Sequence, residues 1–271
     1  MSVLDGVRGF VFDVDGTLVL ADDPNVGGGM KPLPGAADVL SRVRASGRRY
    51  VCFTNGTGQV PAAQAARLRA VGLDIADDQL LTPANVAAAY IAQHHAGQPV
   101  LAFGNDGLLE PLRAAGVVLA DLRQAHEAGV VLIGADPEFT YPKLVAACHA
   151  VWAGAPLLVT SMAPYFAARD GRMPSTSGAI AAGIMHATGA EPIVVGKPSP
   201  VAMDVLASTL ELAPETIAVV GDDVHLEMRM GRAAGARTVL VLTGSTVEAD
   251  LRDGQRPDVV LPSVAGLLDL L

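Results

Sequence analysis

The sequence predicts an α/β protein with a mainly parallel sheet into which a second α/β domain is inserted. Short apolar runs alternate with Ala-rich segments of helical period, the pattern of a parallel sheet covered by helices. Gly47, Gly72 and Gly235 stand just beyond three of the helical segments as C-terminal stops. The alternation also occurs twice, one set enclosed by the other.

Residues 9–13, 50–53, 217–220, 238–242 and 258–261 are expected as buried strands of the outer set, with helices over 36–45, 62–70, 202–210 and 226–234. The middle of the chain predicts strands over 100–103, 130–133 and 157–160 and helices over 83–94, 107–115, 141–153 and 177–188. A discontinuous core of residues 1–81 and 188–271 thus carries an inserted domain over 82–187. Thr82-Pro83 and Glu191-Pro192 suit the junctions, because a residue before proline resists helix. Gly27-Gly28-Gly29 is expected in a flexible flap, and Trp152, at helical spacing from Val145 and Cys148, in the core. Ligand sites in such sheets form at the carboxyl ends of the strands.

Bulk properties narrow the function. The chain has 271 residues, 51% of them hydrophobic, enough for a sizeable core. A formal net charge of −9, from 19 Lys+Arg against 28 Asp+Glu, disfavours nucleic acid or an anionic membrane as partner. A small anionic substrate is still compatible, since a metal and a few basic groups can reverse the local field. Cys52 and Cys148 are too few for a disulfide framework and read as small buried apolar residues. The N-terminus lacks a basic region followed by an apolar stretch, and no apolar run approaches the ~20 residues of a membrane span. A cytoplasmic protein is expected. The histidines lack i, i+4 metal-ligand spacing and read as structural or solvated.

The strongest local signal is Phe10-Val11-Phe12-Asp13-Val14-Asp15-Gly16-Thr17-Leu18, an apolar strand ending in two acids and a glycine. Strand alternation puts Asp13 and Asp15 on one side of the chain. One carboxylate there can attack phosphorus while the other, protonated, serves the leaving oxygen. A plain turn is the alternative; a calcium loop is disfavoured because Gly16 stands where a third oxygen ligand is needed. Attack by one anion on another demands compensating positive charge. Ile217–Gly221 is again an apolar run ending in acids, Asp222 and Asp223, either metal ligands or a helix cap. With the Asp13 carboxylate and the Asp15 main-chain carbonyl, Asp222 could hold Mg²⁺. Tyr50-Val51-Cys52-Phe53 ends in Thr54, Asn55 and Gly56, whose hydroxyl and amides can bind phosphate oxygens. Lys197, between the apolar residues 193–195 and Pro198, adds an ammonium.

The ordered set Asp13-Val14-Asp15-Gly16-Thr17, Thr54-Asn55, Lys197 and Gly221-Asp222-Asp223 resembles the four motifs of the haloacid dehalogenase (HAD) superfamily. The α/β insertion between the second and third motifs resembles its type IIA cap, that of the p-nitrophenyl phosphate phosphatase or NagD-like subgroup. The resemblance covers nearly the whole chain. It implies a Rossmann-like core, a nucleophile at Asp13, an acid/base at Asp15, phosphate binding by Thr54, Asn55, Gly56 and Lys197, and Mg²⁺ on Asp13, Asp15 and Asp222. Asp15 matches the phosphatases rather than the dehalogenases. The implied activity is Mg²⁺-dependent hydrolysis of a small phosphorylated metabolite through an aspartyl phosphate. A phosphotransferase or mutase would share the first half-reaction, and a catalytically silent binding protein would share the fold.

The departures are specific. Glu227 stands where the subgroup usually has aspartate, and His225 replaces another frequent acid, so Asp223 or Glu227 is expected to assist the metal. The cap segment Thr160-Ser161-Met162-Ala163-Pro164 replaces the usual Ala-Thr-Asn-x-Asp, so the relatives' substrate does not transfer directly. Met162, Tyr165, Arg169 and Ser177 are the candidate substrate-sensing residues of the cap, whose closure over the core and role in homodimer formation are further expectations of the resemblance.

Overall fold

The computed structural model describes residues 3–21, 29–168, 171–251 and 256–271. In chain order its main elements are β1 (Gly9–Phe12), β2 (Val19–Ala21), β3 (Met30–Pro32), α1 (Ala36–Ala45), β4 (Arg49–Phe53), α2 (Pro61–Ala70), β5 (Leu80–Leu81) and α3 (Pro83–His94). There follow β6 (Val100–Phe103), α4 (Asp106–Ala114), β7 (Val130–Ile133), α5 (Tyr141–Trp152), β8 (Leu157–Val159), β9 (Tyr165–Ala168), β10 (Gly171–Pro174) and α6 (Thr176–Thr188). The chain closes with β11 (Ile193–Val194), α7 (Pro200–Leu210), β12 (Ile217–Gly221), α8 (Glu227–Ala233), β13 (Arg237–Val241) and β14 (Val259–Leu261). Pro61, Pro83 and Pro200 open their helices at positions where a missing N–H costs no hydrogen bond.

The chain divides into two compact units. The first comprises Met1–Thr54, Ala62–Leu81 and Lys197–Leu271 and is built on a six-stranded parallel sheet in the order β14-β13-β12-β1-β4-β5. Every residue of β1 and β12 is buried, as a parallel sheet covered on both faces requires. On one face Phe10, Phe12, Tyr50, Cys52, Val220 and Val239 share a core with Val39, Leu40 and Val43 of α1 and with Val264 and Leu267. The Phe10 and Phe12 rings stack 5.5 Å apart.

The second unit comprises Asn55–Pro61 and Thr82–Gly196. Its sheet runs β11-β8-β7-β6, also parallel, and β9 and β10 form a separate antiparallel pair. Leu101, Phe103, Val131, Ile133 and Val159 form its core with Ala147 and Ala150 of α5 and Ala181 and Ile184 of α6.

The observed units depart from the expected boundaries at two places. Residues 188–196 fall in the second unit, because β11 pairs with β8. The apolar residues 193–195 signal extended chain, but not which sheet they join. Asn55–Pro61 also belongs there, tied by a 3.0 Å hydrogen bond from the Asn105 amide to the Gly58 carbonyl. The antiparallel β2–β3 pair is an element the sequence did not signal. Of the expected flap, Gly27 and Gly28 lie outside the described residues. Trp152 is not in the core: it is 60% exposed at the end of α5, its ring 5.7 Å from that of His149. The apolar period of α5 runs one turn beyond the face its unit buries. No helix among the described residues is long and apolar enough to cross a membrane.

Candidate active site

The central strand β1 is flanked by β12 and β4, with Phe12 level with Val220 on one side and Cys52 on the other. This register carries Asp13, Asp222 and Thr54, each just past its strand, to the same edge of the sheet. The Asp13 amide continues the ladder by donating to the Val220 carbonyl at 2.9 Å. The chain then turns tightly, the Leu18 and Val19 amides both donating to the Val14 carbonyl. Gly16 makes that turn at φ +85°, and a Cβ there would lie 2.7 Å from the Asp222 Oδ2. Handedness and space both demand glycine.

Asp13, Lys197, Asp222 and Glu227 are all nearly inaccessible to solvent. The Lys197 ammonium donates to Asp13 Oδ1 and to the Phe53 carbonyl at 3.2 Å, and pairs with Glu227 Oε1 at 2.6 Å. Burial disfavours that ammonium, but Asp13 and Glu227 outweigh burial and raise its pKa above the ordinary lysine value. Burial raises Asp15 to about 6, with further upward push from Asp13 and opposition from Lys197 and a Thr54 hydrogen bond. Asp222 is likewise raised to about 6, by burial first and Asp13 second, against the Ser245 amide that donates to its Oδ2 at 2.5 Å. Burial also raises Glu227, with Lys197 pulling the other way. Four acids therefore surround one buried ammonium.

This arrangement fits a small divalent cation. Asp13 Oδ2 is buried and meets no hydrogen-bond donor among the described residues, and an orphaned carboxylate oxygen is costly unless a ligand takes it up. Among the described residues no three His, Cys, Asp or Glu side chains already converge as metal ligands. Two carboxylates and one main-chain carbonyl, completed by water and a substrate oxygen, do not require a third side chain.

The remaining sequence candidates fall as follows. Asp223 Oδ1 accepts from the His225 amide at 2.7 Å, closing a turn, and Glu227 is engaged with Lys197 and with the Asp223 amide at 3.1 Å. Asn55 and Gly56 belong to the second unit, where Asn55 Oδ1 lies against Gly196. In the same unit Met162 packs on the core, Tyr165 is 44% exposed, and Ser177 is buried with its hydroxyl donating to the Ser161 carbonyl at 3.0 Å. Arg169 lies outside the described residues.

Two contributors escaped the sequence reading. The turn after β13 supports Asp222 through the Ser245 amide, and its Thr243 hydroxyl donates to the Gly16 carbonyl at 2.6 Å. The polar run Thr243-Gly244-Ser245-Thr246 at a strand end was the available signal. Arg67 of α2 lies close enough to lower the Asp15 pKa and had no signal, being one of two arginines on that helix.

Comparison with known proteins agrees with this geometry. The family model described as haloacid dehalogenase-like hydrolase matches residues 10–118, and a HAD-hydrolase-like model matches residues 194–267. Mouse chronophin is 30% identical over 283 residues, covering 99% of this chain and 94% of its own length. Dihydroxyacetone phosphatase of Corynebacterium glutamicum is 29% identical, covering 96% of this chain and 90% of its own. The crystal structure of 4-nitrophenylphosphatase from Thermotoga maritima superposes with a TM-score of 0.88 at 29% identity, covering 99% of both chains. Motifs, topology and relatives converge: the chain belongs to the haloacid dehalogenase-like hydrolases and, within them, to the phosphatases of the p-nitrophenyl phosphatase, NagD-like subgroup.

Proposed function

We propose that the protein hydrolyses small phosphate monoesters through a phosphorylated Asp13, with Mg²⁺ as its cofactor. The observation that carries this reading is the state of the Asp13 carboxylate: buried, one oxygen held by Lys197 and the other without a donor among the described residues. Such a group is fixed in place yet not fully stabilised, which suits a nucleophile.

In the first step an Asp13 oxygen attacks phosphorus. The bond from phosphorus to the ester oxygen breaks, its electron pair going to that oxygen, which takes a proton from Asp15. In the second, water attacks phosphorus while Asp15 accepts its proton, and the bond to Asp13 breaks to release phosphate. A carboxyl raised to about 6 is matched to both duties near neutral pH. Lys197 and the Thr54 hydroxyl bind the phosphoryl oxygens, the ammonium countering the charge that gathers on them. Asp13, Asp222 and the Asp15 carbonyl would hold Mg²⁺, which when bound offsets the repulsion between carboxylate and phosphate. The relatives named for dihydroxyacetone phosphate and 4-nitrophenyl phosphate support a compact phosphate ester as substrate.

Purified protein should hydrolyse p-nitrophenyl phosphate with Mg²⁺ and lose that activity in EDTA. Asp13→Asn should abolish turnover while circular dichroism stays native. An active Asp13→Asn variant, or undiminished activity without metal, would overturn the mechanism. A panel of phosphorylated sugars, polyols and nucleotides ranked by kcat/KM identifies the substrate.

A further inference from the structure

We infer that Glu227 is a positioning residue that seats the Lys197 ammonium and ties it to the loop carrying Asp222, and that it is not a metal ligand. Both of its oxygens are committed. Oε1 pairs with Lys197 at 2.6 Å, and Oε2 accepts from the Asp223 amide at 3.1 Å. One carboxylate therefore joins the lysine that follows β11 to the turn that follows β12. Neither oxygen needs a cation to be satisfied, in contrast to Asp13 Oδ2.

The backbone is shaped around this group. A Cβ on Gly221 would stand 2.3 Å from the Glu227 Cγ and 2.8 Å from its Cδ, so residue 221 yields the space that the Glu227 side chain fills. The three N–H bonds of Lys197 face Asp13, Glu227 and the Phe53 carbonyl. When Asp13 is engaged with phosphorus, Lys197 must turn from its carboxylate to the phosphoryl oxygens. Glu227 and Phe53 are the anchors that keep the ammonium in range while it does so. Without the glutamate, the Asp13 carboxylate is the acid already bonded to the ammonium, and the lysine would be drawn onto the nucleophile.

The inference rests on the proposed hydrolysis, and Glu227→Gln tests it. An amide can accept from Lys197 or from the Asp223 amide, but its NH₂ cannot accept from the other, so one link breaks. The variant should lose about tenfold to a hundredfold in kcat/KM for p-nitrophenyl phosphate, the scale expected of a small displacement of a catalytic group. The inhibition constant of inorganic phosphate should rise, while the Mg²⁺ concentration for half activation stays within about twofold of wild type. That set is the signature of a displaced phosphate-binding cation, since removing a residue that holds the metal would show first in the Mg²⁺ requirement. Glu227→Asp, which keeps both acceptors on a shorter arm, should recover part of the loss. Gly221→Ala, which displaces the glutamate without touching its charge, should reproduce it should Glu227→Gln fail to fold.

A tenfold or larger rise in half-activating Mg²⁺, with kcat restored at saturating metal, would make Glu227 a ligand and overturn the inference. Unchanged constants in Glu227→Gln would overturn it as well, leaving the hydrolase reading intact. A wild-type protein inactive with saturating Mg²⁺ would instead overturn the hydrolase reading. Calorimetric affinity for inorganic phosphate, compared between wild type and Glu227→Gln, would then still test Glu227: weaker binding in the variant supports the inference, equal binding ends it.

Discussion

Lys197 places its ammonium on the Asp13 carboxylate across 184 positions of sequence, with both side chains buried. A buried pair of this kind contributes little net stability while intact, because desolvation offsets much of the attraction, but removing one partner strands the other. Lys197→Ala strands two, Asp13 and Glu227. It should lower the unfolding free energy by about 3–5 kcal/mol in urea denaturation and abolish phosphatase activity. A fully stable Lys197→Ala protein would mean that the acids are already neutral without the lysine.

Asp15→Asn separates the chemistry of the two leaving groups. Loss of a general acid typically costs about 10²–10⁴-fold. The full cost should fall on an alkyl phosphate, whose alkoxide leaves poorly. p-Nitrophenyl phosphate, whose phenolate departs without a proton, should suffer a smaller fall in the first step. Rapid-quench measurements should find phosphorylated Asp13 accumulating, because water also loses its base. Equal losses on both substrates in the phosphorylation step would remove Asp15 from the acid role.

The metal-free protein should be more stable in mild acid than at neutral pH. Asp15 and Asp222 are raised from 3.8 to about 6, burial being the larger cause for each. Between those values the folded state binds more protons than the unfolded chain, so stability falls as pH rises through the window and the penalty is complete above it. Urea unfolding in EDTA should give a higher midpoint at about pH 5 than at about pH 7.5. Saturating Mg²⁺ should raise the midpoint at the higher pH, since a ligand of the folded state stabilises it by mass action. A pH-independent midpoint in EDTA would show that the cluster is better solvated than its burial implies.

Trp152 offers a test away from the site. With the residue 60% exposed, Trp152→Ser should change stability by no more than about 0.5 kcal/mol. A loss of about 3–5 kcal/mol, the cost of deleting a buried tryptophan, would mean that this face is covered in solution.

What the sequence determined by itself was local and periodic. Apolar runs named the six buried strands that carry each sheet's middle, and their carboxyl ends named Asp13, Asp15, Thr54 and Asp222, because strand termini and acid spacing are properties of neighbouring residues. The parallel register of β12, β1 and β4 was beyond its reach, and that register is what brings those ends to one edge. So were the pairing of β11 with β8 and the support of Asp222 by Ser245, which join distant segments. The exposure of Trp152 was misread because a helical period says which residues share a face, not how far the neighbouring layer extends. The partner of Lys197 was likewise undetermined until the tertiary structure closed around it. Charge pairing in a buried site is decided by distance in space, and sequence records only distance along the chain.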